Sequence, residues 1–229
     1  MNIKKIVRNL FRSFGYEITK IGDLNLLPSL IYKYHHKDFF FIQIGANDGI
    51  SFDPIYDVVK KLKLSGIAIE PVKDYYEDLV KNYKNSNVIT VNKAIYEKSG
   101  KISIYRVKND NDLPKWSKGI ASLNPEHYKK SNVDKSYIIE EIVDAFTFEN
   151  LFEIYKVQRI DLLQIDAEGY DYTLLKLFPF DKFQPSIIHF EHGLRHENMS
   201  INQLNEIITM LLNYNYKIIM KDYDCLAYK

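Results

Sequence analysis

Short apolar runs alternate with helical repeats along most of the chain. Continuous apolar runs occur at 39–45, 66–71 and 88–95. Such runs are typical of strands that are buried on both faces of a parallel sheet. Between them, 54–64 and 73–83 carry apolar residues at spacings of three and four, which predicts two amphipathic helices. The order strand, helix, strand, helix, strand predicts right-handed crossovers and an α/β fold.

The alternation pauses after residue 100 and then resumes. The pattern predicts more exposed strands at 101–107 and 140–146, separated by the polar, irregular segment 108–137. A stretch of this length without periodicity is usually functional or mobile. The remaining pattern predicts a helix at 147–155, a strand at 159–166, a helix at 171–178, a strand at 185–192, a helix at 201–212 and a final hairpin that turns at Asp224.

The first twenty residues predict a separate amphipathic helix with a basic face. Ile3, Ile6, Val7 and Leu10 recur at helical spacing, and lysine and arginine residues fall between them. Such a helix can pack on the flank of its own domain or lie on an anionic membrane surface, and both interpretations stay open. We therefore divide the chain into an N-terminal helical extension, 1–37, and one domain, 38–229.

Composition narrows the class of protein. The chain has 229 residues, of which 46% are hydrophobic, and a formal net charge of +1. This balance favours one globular domain and argues against a nucleic-acid binder, which is usually basic. Cys225 is the one cysteine, so no internal disulfide can form. With no long apolar run and no secretory signal at the start, these features predict a cytoplasmic protein, with the inner face of the membrane as an alternative.

Polar residues follow the predicted parallel strands at the points where the strands end. The ends carry GANDG at 45–49, Glu70-Pro71, Asn92-Lys93-Ala94, DAEG at 166–169 and Glu191-His192. In an open α/β sheet, ligands bind outside the carboxyl ends of the strands. A buried core does not require polar residues there, so the pattern predicts a ligand site at this edge.

The first loop indicates what the ligand is. It lacks the G-x-G-x-x-G fingerprint of dinucleotide sites, although its glycines allow close approach of a ligand to the backbone. Glu70 lies about twenty residues further on, where a carboxylate can accept hydrogen bonds from both ribose hydroxyls. A nucleoside without phosphates suits this combination, and the acidic surroundings favour the cationic sulfonium of S-adenosylmethionine.

Taken together, these segments resemble the FkbM family of methyltransferases. The matching sequences are FIQIGANDG, AIEP, VNKAI followed by Gly100, GIASL, RIDLLQIDAEGYDYTLLK and IIHFEH. They cover roughly residues 38 to 192. The resemblance implies a Rossmann-like class I methyltransferase fold, in which helices cover both faces of a mostly parallel seven-stranded sheet and the final strand is antiparallel. It also implies O-methylation, commonly of sugars or of secondary-metabolite hydroxyls.

The resemblance also implies roles for individual residues. The cofactor would be bound by Gln43, Gly45, Ala46, Asn47, Gly49, Glu70, Pro71, Lys93, Ala94 and Ser122. Glu70 would hold the ribose, and Asp166 and Glu168 would lie near the transferred methyl group. This chain departs from the family pattern at two positions. The family usually has an acidic residue where this chain has Gln43, and a T-L-D-D-like sequence where this chain has TFEN at 147–150. Gln43 can still bind the amino-acid end of the cofactor.

Two routes for removing the proton of an alcohol acceptor stay open. In the first, His192 or Asp166 is the general base. In the second, Mg²⁺ or another divalent cation held by Asp166 and Glu191 acidifies the hydroxyl. A structural histidine at a strand end is the alternative for His192. Zinc is disfavoured because His189 lies inside an apolar strand and no second cluster has the usual ligand spacing.

The segment 108–137 is the candidate acceptor-binding lid, with a surface loop as the alternative. Trp116 could stack on a sugar, and Tyr128 with nearby lysines could contact an anionic or nucleotide-linked group. We expect an O-methyltransferase acting on a sugar or nucleotide-sugar hydroxyl in glycan biosynthesis. The alternatives are a secondary-metabolite or lipid-linked glycan acceptor, a nicotinamide-dependent oxidoreductase and a non-catalytic nucleoside-binding module.

Overall fold

A computed structural model describes residues 26–108, 113, 119–131 and 133–229. The strands, in chain order, are β1 (Phe40–Ile44), β2 (Ser65–Ile69), β3 (Val88–Val91), β4 (Ala94–Ile95), β5 (Gly100–Val107), β6 (Ala121–Ser122), β7 (Ile138–Phe146), β8 (Leu162–Ile165), β9 (Ile187–Glu191), β10 (Lys217–Met220) and β11 (Asp224–Tyr228). The helices are α1 (Leu26–Tyr34), α2 (Tyr56–Leu62), α3 (Lys73–Asn82), α4 (Phe148–Ile154), α5 (Asp171–Leu177) and α6 (Ile201–Asn213). The predictions for the first twenty residues and for Trp116 lie outside the described residues.

The main sheet has seven strands in the order β3-β2-β1-β8-β9-β11-β10. Its neighbours pair in parallel from β3 to β9, whereas β11 pairs antiparallel with both β9 and β10. The chain runs outward from β1 to β3 and then returns to β8 on the other side of β1, so the switch point lies beside β1. This order, with α-helices between the parallel strands, confirms the predicted Rossmann-like class I methyltransferase fold.

A second sheet of four strands is inserted between β3 and α4. The strands predicted at 101–107 and 140–146 are its β5 and β7, whereas their pairing into a separate sheet was not predicted. Its order is β4-β7-β5-β6. The prediction of a single strand at 88–95 is therefore wrong, because this segment forms two strands, β3 in the main sheet and β4 in the small sheet. Asn92 makes the break: its side-chain Nδ2 donates to the carbonyl oxygens of Glu70 and Pro71, each at 2.9 Å. The turn at Asn92 thereby anchors the small sheet at the edge where the parallel strands end.

Both faces of the main sheet are covered by hydrophobic side chains. On β1, Ile42 and Ile44 face one cluster, and Phe41 faces the other. Helix α1 belongs to the second cluster, where its Leu27 and Ile31 are fully buried. Burial of two such side chains contributes about 3–6 kcal/mol before entropy is subtracted. The boundary at residue 38 stays a prediction, although α1 already packs into the domain core.

Two strand predictions are corrected at their ends. The strand predicted at 159–166 is shorter in the structure, where β8 covers Leu162–Ile165. Asp161, just before it, accepts from the backbone N–H of Phe40 through its carboxylate at 2.9 Å. The final hairpin turns at 221–223 and not at Asp224, which is the first residue of β11 and pairs with Glu191. Among the described helices, none has the length and apolar character needed to cross a membrane.

Candidate active site

A cavity of about 320 Å³ opens at the carboxyl ends of β1, β2 and β8, beside the switch point of the main sheet. The predicted site residues that line it are Gln43, Gly45, Ala46, Asn47, Glu70, Pro71, Lys93, Ala94, Asp166 and Glu168. The small sheet closes one side through Ile104 and Ala121. Most of the residues singled out in the sequence are thus brought together around one concave space.

The loop after β1 follows a path that requires glycine at its first position. The backbone N–H groups of Gly45 and Ala46 both donate to the carbonyl oxygen of Ile69, each at 3.0 Å. Gly45 has a φ of 77°, and a Cβ at this position would lie 1.8 Å from the carbonyl oxygen of Asp166. Gly45 is therefore required by the close approach of the neighbouring strand end and by its own backbone conformation.

Glu70 is a buried carboxylate held in place by the backbone. It is 5% exposed. Its Oε2 accepts from the N–H of Asn47 and its Oε1 from the N–H of Val72, both at 2.8 Å. Burial raises the pKa of Glu70 to about 7, and these two hydrogen bonds oppose that shift. Each oxygen keeps a further lone pair, so the carboxylate can accept donors from a ligand in the cavity.

Two buried amide side chains on the floor of the cavity indicate what kind of ligand fits it. Gln43 on β1 and Gln164 on β8 are direct neighbours in the strand register, and each is 2% exposed. The Oε1 atoms of both have no hydrogen-bond partner among the described residues. A buried acceptor without a partner costs about 1–3 kcal/mol. This arrangement fits a ligand that brings hydrogen-bond donors to both oxygens.

Asp53 adds a carboxylate to the same end of the cavity. Its Oδ2 accepts from Nε2 of Gln43 at 3.1 Å, and its Oδ1 accepts from the backbone N–H of Ile55 at 2.7 Å. Burial raises the pKa of Asp53 to about 6. The sequence analysis missed both Gln164 and Asp53. Gln164 carries a detectable signal, because it interrupts an apolar strand just as Gln43 does, whereas Asp53 carries none.

Asp166 and Glu168 place two carboxyl groups on the loop after β8. Asp166 is open to the cavity, yet the enclosing protein and the carboxylates of Glu168 and Glu191 raise its pKa well above the usual range. Burial and the charge of Glu191 raise the pKa of Glu168 to about 8. Both groups are therefore stronger bases, when ionised, than an ordinary carboxylate.

The small sheet fixes Glu168 from the opposite side. Its backbone adopts a φ of 47°, in the left-handed region that is uncommon outside glycine and asparagine. Ser122 Oγ donates to the carbonyl oxygen of Glu168 at 2.7 Å, and His127 Nε2 lies 3.1 Å from Oε2 of Glu168. His127 is 4% exposed. The sequence analysis missed His127, whose position depends on the unpredicted sheet.

A second cavity of about 330 Å³ adjoins the first. The two share Leu123, Glu168 and Tyr170, so they meet at the loop after β8. The other residues that line the second cavity are Ser122, Asn124, His127, Gly169, Glu197 and Asn198. The described part of the predicted lid therefore borders both cavities, whereas Tyr128 lines neither of them.

Four predicted residues lie outside the first cavity. Gly49 packs against α3, where an added Cβ would approach Leu79 to 2.7 Å, and Ser122 lines the second cavity. His192 is buried between backbone groups: its Nδ1 accepts from the N–H of Leu194 at 3.2 Å, and its Nε2 donates to the carbonyl oxygen of Lys221 at 3.0 Å. This placement corresponds to the structural alternative for His192 and gives no support to a general-base role.

Glu191 is the fourth of these residues, and the predicted metal pair depends on it. It accepts from Nδ2 of Asn198 at 3.1 Å, and it lines neither cavity. Within the described ranges, no group of three or more histidine, cysteine, aspartate or glutamate side chains is arranged to hold a metal ion. Asp166 lines the first cavity and Glu191 does not, although the charge of Glu191 contributes to the raised pKa of Asp166.

Comparison with known proteins agrees with this architecture. The family model described as the methyltransferase FkbM domain matches residues 43–218. A solved structure of methyltransferase FkbM from Methylobacillus flagellatus KT is similar with a TM-score of 0.52 at 14% identity, over 84% of this chain and 43% of that one. The chain thus spans less than half of that protein's length, and the similarity shows the shared fold. No curated protein sequence matches the chain.

Further solved methyltransferase structures are similar at lower scores. One is a methyltransferase from Pyrococcus furiosus, with a TM-score of 0.40 and 13% identity over 99% of this chain and 98% of that one. Another is the precorrin-6y C5,15-methyltransferase from Geobacter metallireducens GS-15, with a TM-score of 0.42 and 10% identity over 93% of each chain.

Proposed function

This chain belongs to the FkbM methyltransferase family, and we propose that it transfers a methyl group from S-adenosylmethionine to a hydroxyl oxygen of a sugar or nucleotide sugar. Membership makes the protein a methyltransferase and implies S-adenosylmethionine as the cofactor. The observation that supports the proposal is the pair of adjoining cavities that meet at Glu168. The first has the polar groups that the cofactor needs, and the second has walls suited to a hydroxylated acceptor.

The residues of the first cavity fit the cofactor. Glu70 would accept hydrogen bonds from the ribose hydroxyls, because its carboxylate is already fixed by two backbone N–H groups. Gln43, Gln164 and Asp53 would hold the ammonium group of the amino-acid end, since they offer unpartnered acceptors and a negative charge. Lys93 and Ala94 would lie near the adenine. Bound here, S-adenosylmethionine would supply an electrophilic methyl group.

The charge of the first cavity favours a cationic ligand. Four carboxyl groups, those of Asp53, Glu70, Asp166 and Glu168, line it, whereas Lys93 is the one basic residue on its wall among the described residues. Burial penalises carboxylates that have no counter-charge, as the raised pKa values of Asp53 and Glu70 show. The sulfonium and ammonium groups of the cofactor would neutralise these carboxylates, and this contributes to cofactor affinity. Phosphorylated nucleotides would add negative charge to the cavity and are therefore disfavoured.

Asp166 and Glu168 supply the proton acceptor for an alcohol. Asp166 is accessible from the first cavity, and Glu168 lines both cavities. Their raised pKa values bring their basicity closer to that required for general-base catalysis near neutral pH, which typically contributes about 10²–10⁴-fold. Holding the hydroxyl and the methyl donor in adjoining cavities also contributes through orientation.

The divalent-cation route is the weaker alternative. It needs Asp166 and Glu191 to share one ion, and of these two only Asp166 lines the cavity. We therefore expect transfer to persist when EDTA is present. The cytoplasmic location and a membrane contact by the N-terminal helix stay predictions.

The first test is isothermal titration of the purified chain with S-adenosylhomocysteine, in Mg²⁺ and in EDTA. We expect binding near micromolar in both buffers. The second test supplies methyl-labelled S-adenosylmethionine with a panel of sugars and nucleotide sugars, and locates the label by NMR. A methyl group on oxygen supports the proposal. The proposal is contradicted if S-adenosylhomocysteine binds in neither buffer, or if the label is found on nitrogen or carbon.

A further inference from the structure

The second cavity has the position of an acceptor site. It is separate from the cofactor cavity yet shares Leu123, Glu168 and Tyr170 with it. A molecule that fills it can therefore place one atom beside Glu168 and the methyl donor, while the rest of the molecule stays outside the first cavity. Ser122 at the end of β6, with Leu123, Asn124 and His127 in the segment that follows, forms one part of the wall of the second cavity.

Its walls are made of groups that bind hydroxyls. Asn124 and Asn198 contribute side-chain amides, and His127 an imidazole. The Oδ1 atom of Asn198 is buried and has no hydrogen-bond partner among the described residues, while its Nδ2 is already used by Glu191. A buried acceptor in this state lacks a donor that a hydroxyl ligand could supply. Apolar contact is limited to Leu123 and the ring of Tyr170.

The charged residues of the wall restrict the ligand further. Two acidic residues, Glu168 and Glu197, line the cavity and no lysine or arginine among the described residues does, so a carboxylated or phosphorylated ring would find neither of these basic side chains on the wall. Tyr170 stacks on Tyr96 with 5.6 Å between the ring centroids, and this contact fixes an aromatic wall at the junction of the two cavities. A ring with many hydroxyls and no charge satisfies both the polar and the apolar parts of the wall.

We propose that the second cavity is the acceptor subsite and that it takes an uncharged pyranose ring, oriented by Asn198 and by the His127–Glu168 pair. The inference rests on the proposed function and specifies its substrate class. His127 is a positioning residue in this arrangement, because it holds Glu168 at 3.1 Å and lies on the cavity wall. A nucleotide or lipid carrier attached to the sugar would remain outside the subsite.

The experiment uses the full chain saturated with S-adenosylhomocysteine. Saturation-transfer NMR would be recorded with the methyl pyranosides of glucose, galactose, mannose and rhamnose, and with methyl glucuronide as the anionic counterpart. We expect at least one neutral pyranoside to bind with millimolar affinity and the glucuronide to bind at least tenfold more weakly.

Two variants make the test specific. Asn198→Ala removes the unpartnered acceptor and should reduce pyranoside affinity about 2–13-fold, the loss expected for one buried hydrogen bond. Asn202→Ala, at an exposed position on α6 that lines neither cavity, should leave the affinity unchanged. Titration with S-adenosylhomocysteine should give equal affinities in both variants and in the parent chain.

Three outcomes overturn the inference: no neutral pyranoside binds the loaded chain, the glucuronide binds as well as the neutral rings, or Asn198→Ala retains full pyranoside affinity. Each of these leaves binding of S-adenosylhomocysteine intact, so the proposed function survives. Loss of that binding in the parent chain would instead contradict the proposed function.

Discussion

The backbone N–H of Asn47 donates to Oε2 of Glu70 over 2.8 Å, which joins the loop after β1 to the end of β2. Asn47 has a φ of 49°, so the loop turns sharply in order to present this N–H group. The carboxylate is therefore in place before any ligand arrives. Preorganisation of this kind reduces the entropy lost on binding.

Glu70→Gln tests this carboxylate. The amide keeps one acceptor oxygen but places an NH₂ group against a backbone N–H. It also loses the negative charge that would strengthen the proposed hydrogen bonds from the ribose hydroxyls. Hydrogen bonds to charged groups contribute about 1.5–3 kcal/mol, so we expect affinity for S-adenosylhomocysteine to fall about 10–100-fold. Titration calorimetry measures the change. Glu153→Gln, at an exposed position on α4, is the matched control and should bind like the parent. Equal affinities in the two variants would refute the ribose assignment.

The alternation of apolar strands and amphipathic helices was sufficient to predict a parallel α/β sheet, whereas its seven strands and its antiparallel final strand were implied by the family resemblance. Strands such as β1 and β8 are buried on both faces, so their apolar runs stand out in the sequence. The strand ends could be predicted for the same reason: Glu70 and Asp166 follow such runs directly. Ligand-binding geometry at this edge follows from the fold class alone.

The small sheet could be predicted only in part, because the sequence pattern gave β5 and β7 as strands but neither β4 and β6 nor the pairing of the four. Its strands β5 and β7 are half exposed, and β4 and β6 have two residues each, which is too short for any periodicity. His127 reaches Glu168 only through this sheet, so its contribution to the site left no signal in the sequence. His192 shows the converse. Its position at a strand end suggested a general base, whereas both of its ring nitrogens form hydrogen bonds with backbone groups.

Asp53→Asn tests which end of the cofactor lies beside Gln43. The change removes a negative charge next to the proposed ammonium position and keeps a side chain of the same size. We expect affinity for S-adenosylhomocysteine to fall about tenfold. Affinity for 5′-methylthioadenosine, which lacks the amino-acid group, should not change. Titration with both ligands separates the two effects. An equal loss for both ligands would show that Asp53 supports the loop and does not contact the amino-acid end.

Asp166→Asn tests the carboxyl group that we propose as the general base. The variant keeps the shape of the side chain but can neither accept a proton nor carry a negative charge. We expect the transfer rate to fall about 10²–10⁴-fold, the range for loss of a general base. Affinity for S-adenosylhomocysteine should stay within a few fold of the parent. Single-turnover transfer of labelled methyl measures the rate, and activity at the parent level would remove Asp166 from the mechanism.

Asp161→Asn tests a buried carboxylate that is structural and remote from the cavity. Burial raises its pKa, but hydrogen bonds from Arg159 and Phe40 outweigh this and lower it overall. The ionised form therefore stabilises the fold, and we expect the variant to lose about 1–3 kcal/mol of unfolding free energy at pH 7. Urea unfolding measures the loss. Because the folded pKa is depressed, the stabilisation should disappear as pH falls through the acid range, so the two proteins should converge there. A constant difference across pH would contradict the assignment.

The cavity carboxyls give the opposite dependence of stability on pH. In the folded chain the pKa of Glu70 is about 7, above its ordinary value of 4.5, so between these values the native state binds more protons than the unfolded state. Stability should therefore fall as pH rises from about 4.5 to about 7, by roughly 3 kcal/mol at most for this one group. Glu168, whose pKa is about 8, extends the fall to about pH 8.

Thermal unfolding of the ligand-free chain at pH 5.5, 6.5, 7.5 and 8.5 measures this dependence, and the midpoint should decrease along the series. Glu70→Gln cannot titrate, so its midpoint should decrease less steeply than that of the parent, whatever its stability at any one pH. Glu153→Gln should give a curve parallel to the parent. A parallel curve for Glu70→Gln would mean that Glu70 is already ionised in the folded chain at pH 5.5. In that case burial would not destabilise the ionised carboxylate of Glu70 in the ligand-free chain. The cationic cofactor would then gain no affinity by neutralising this charge.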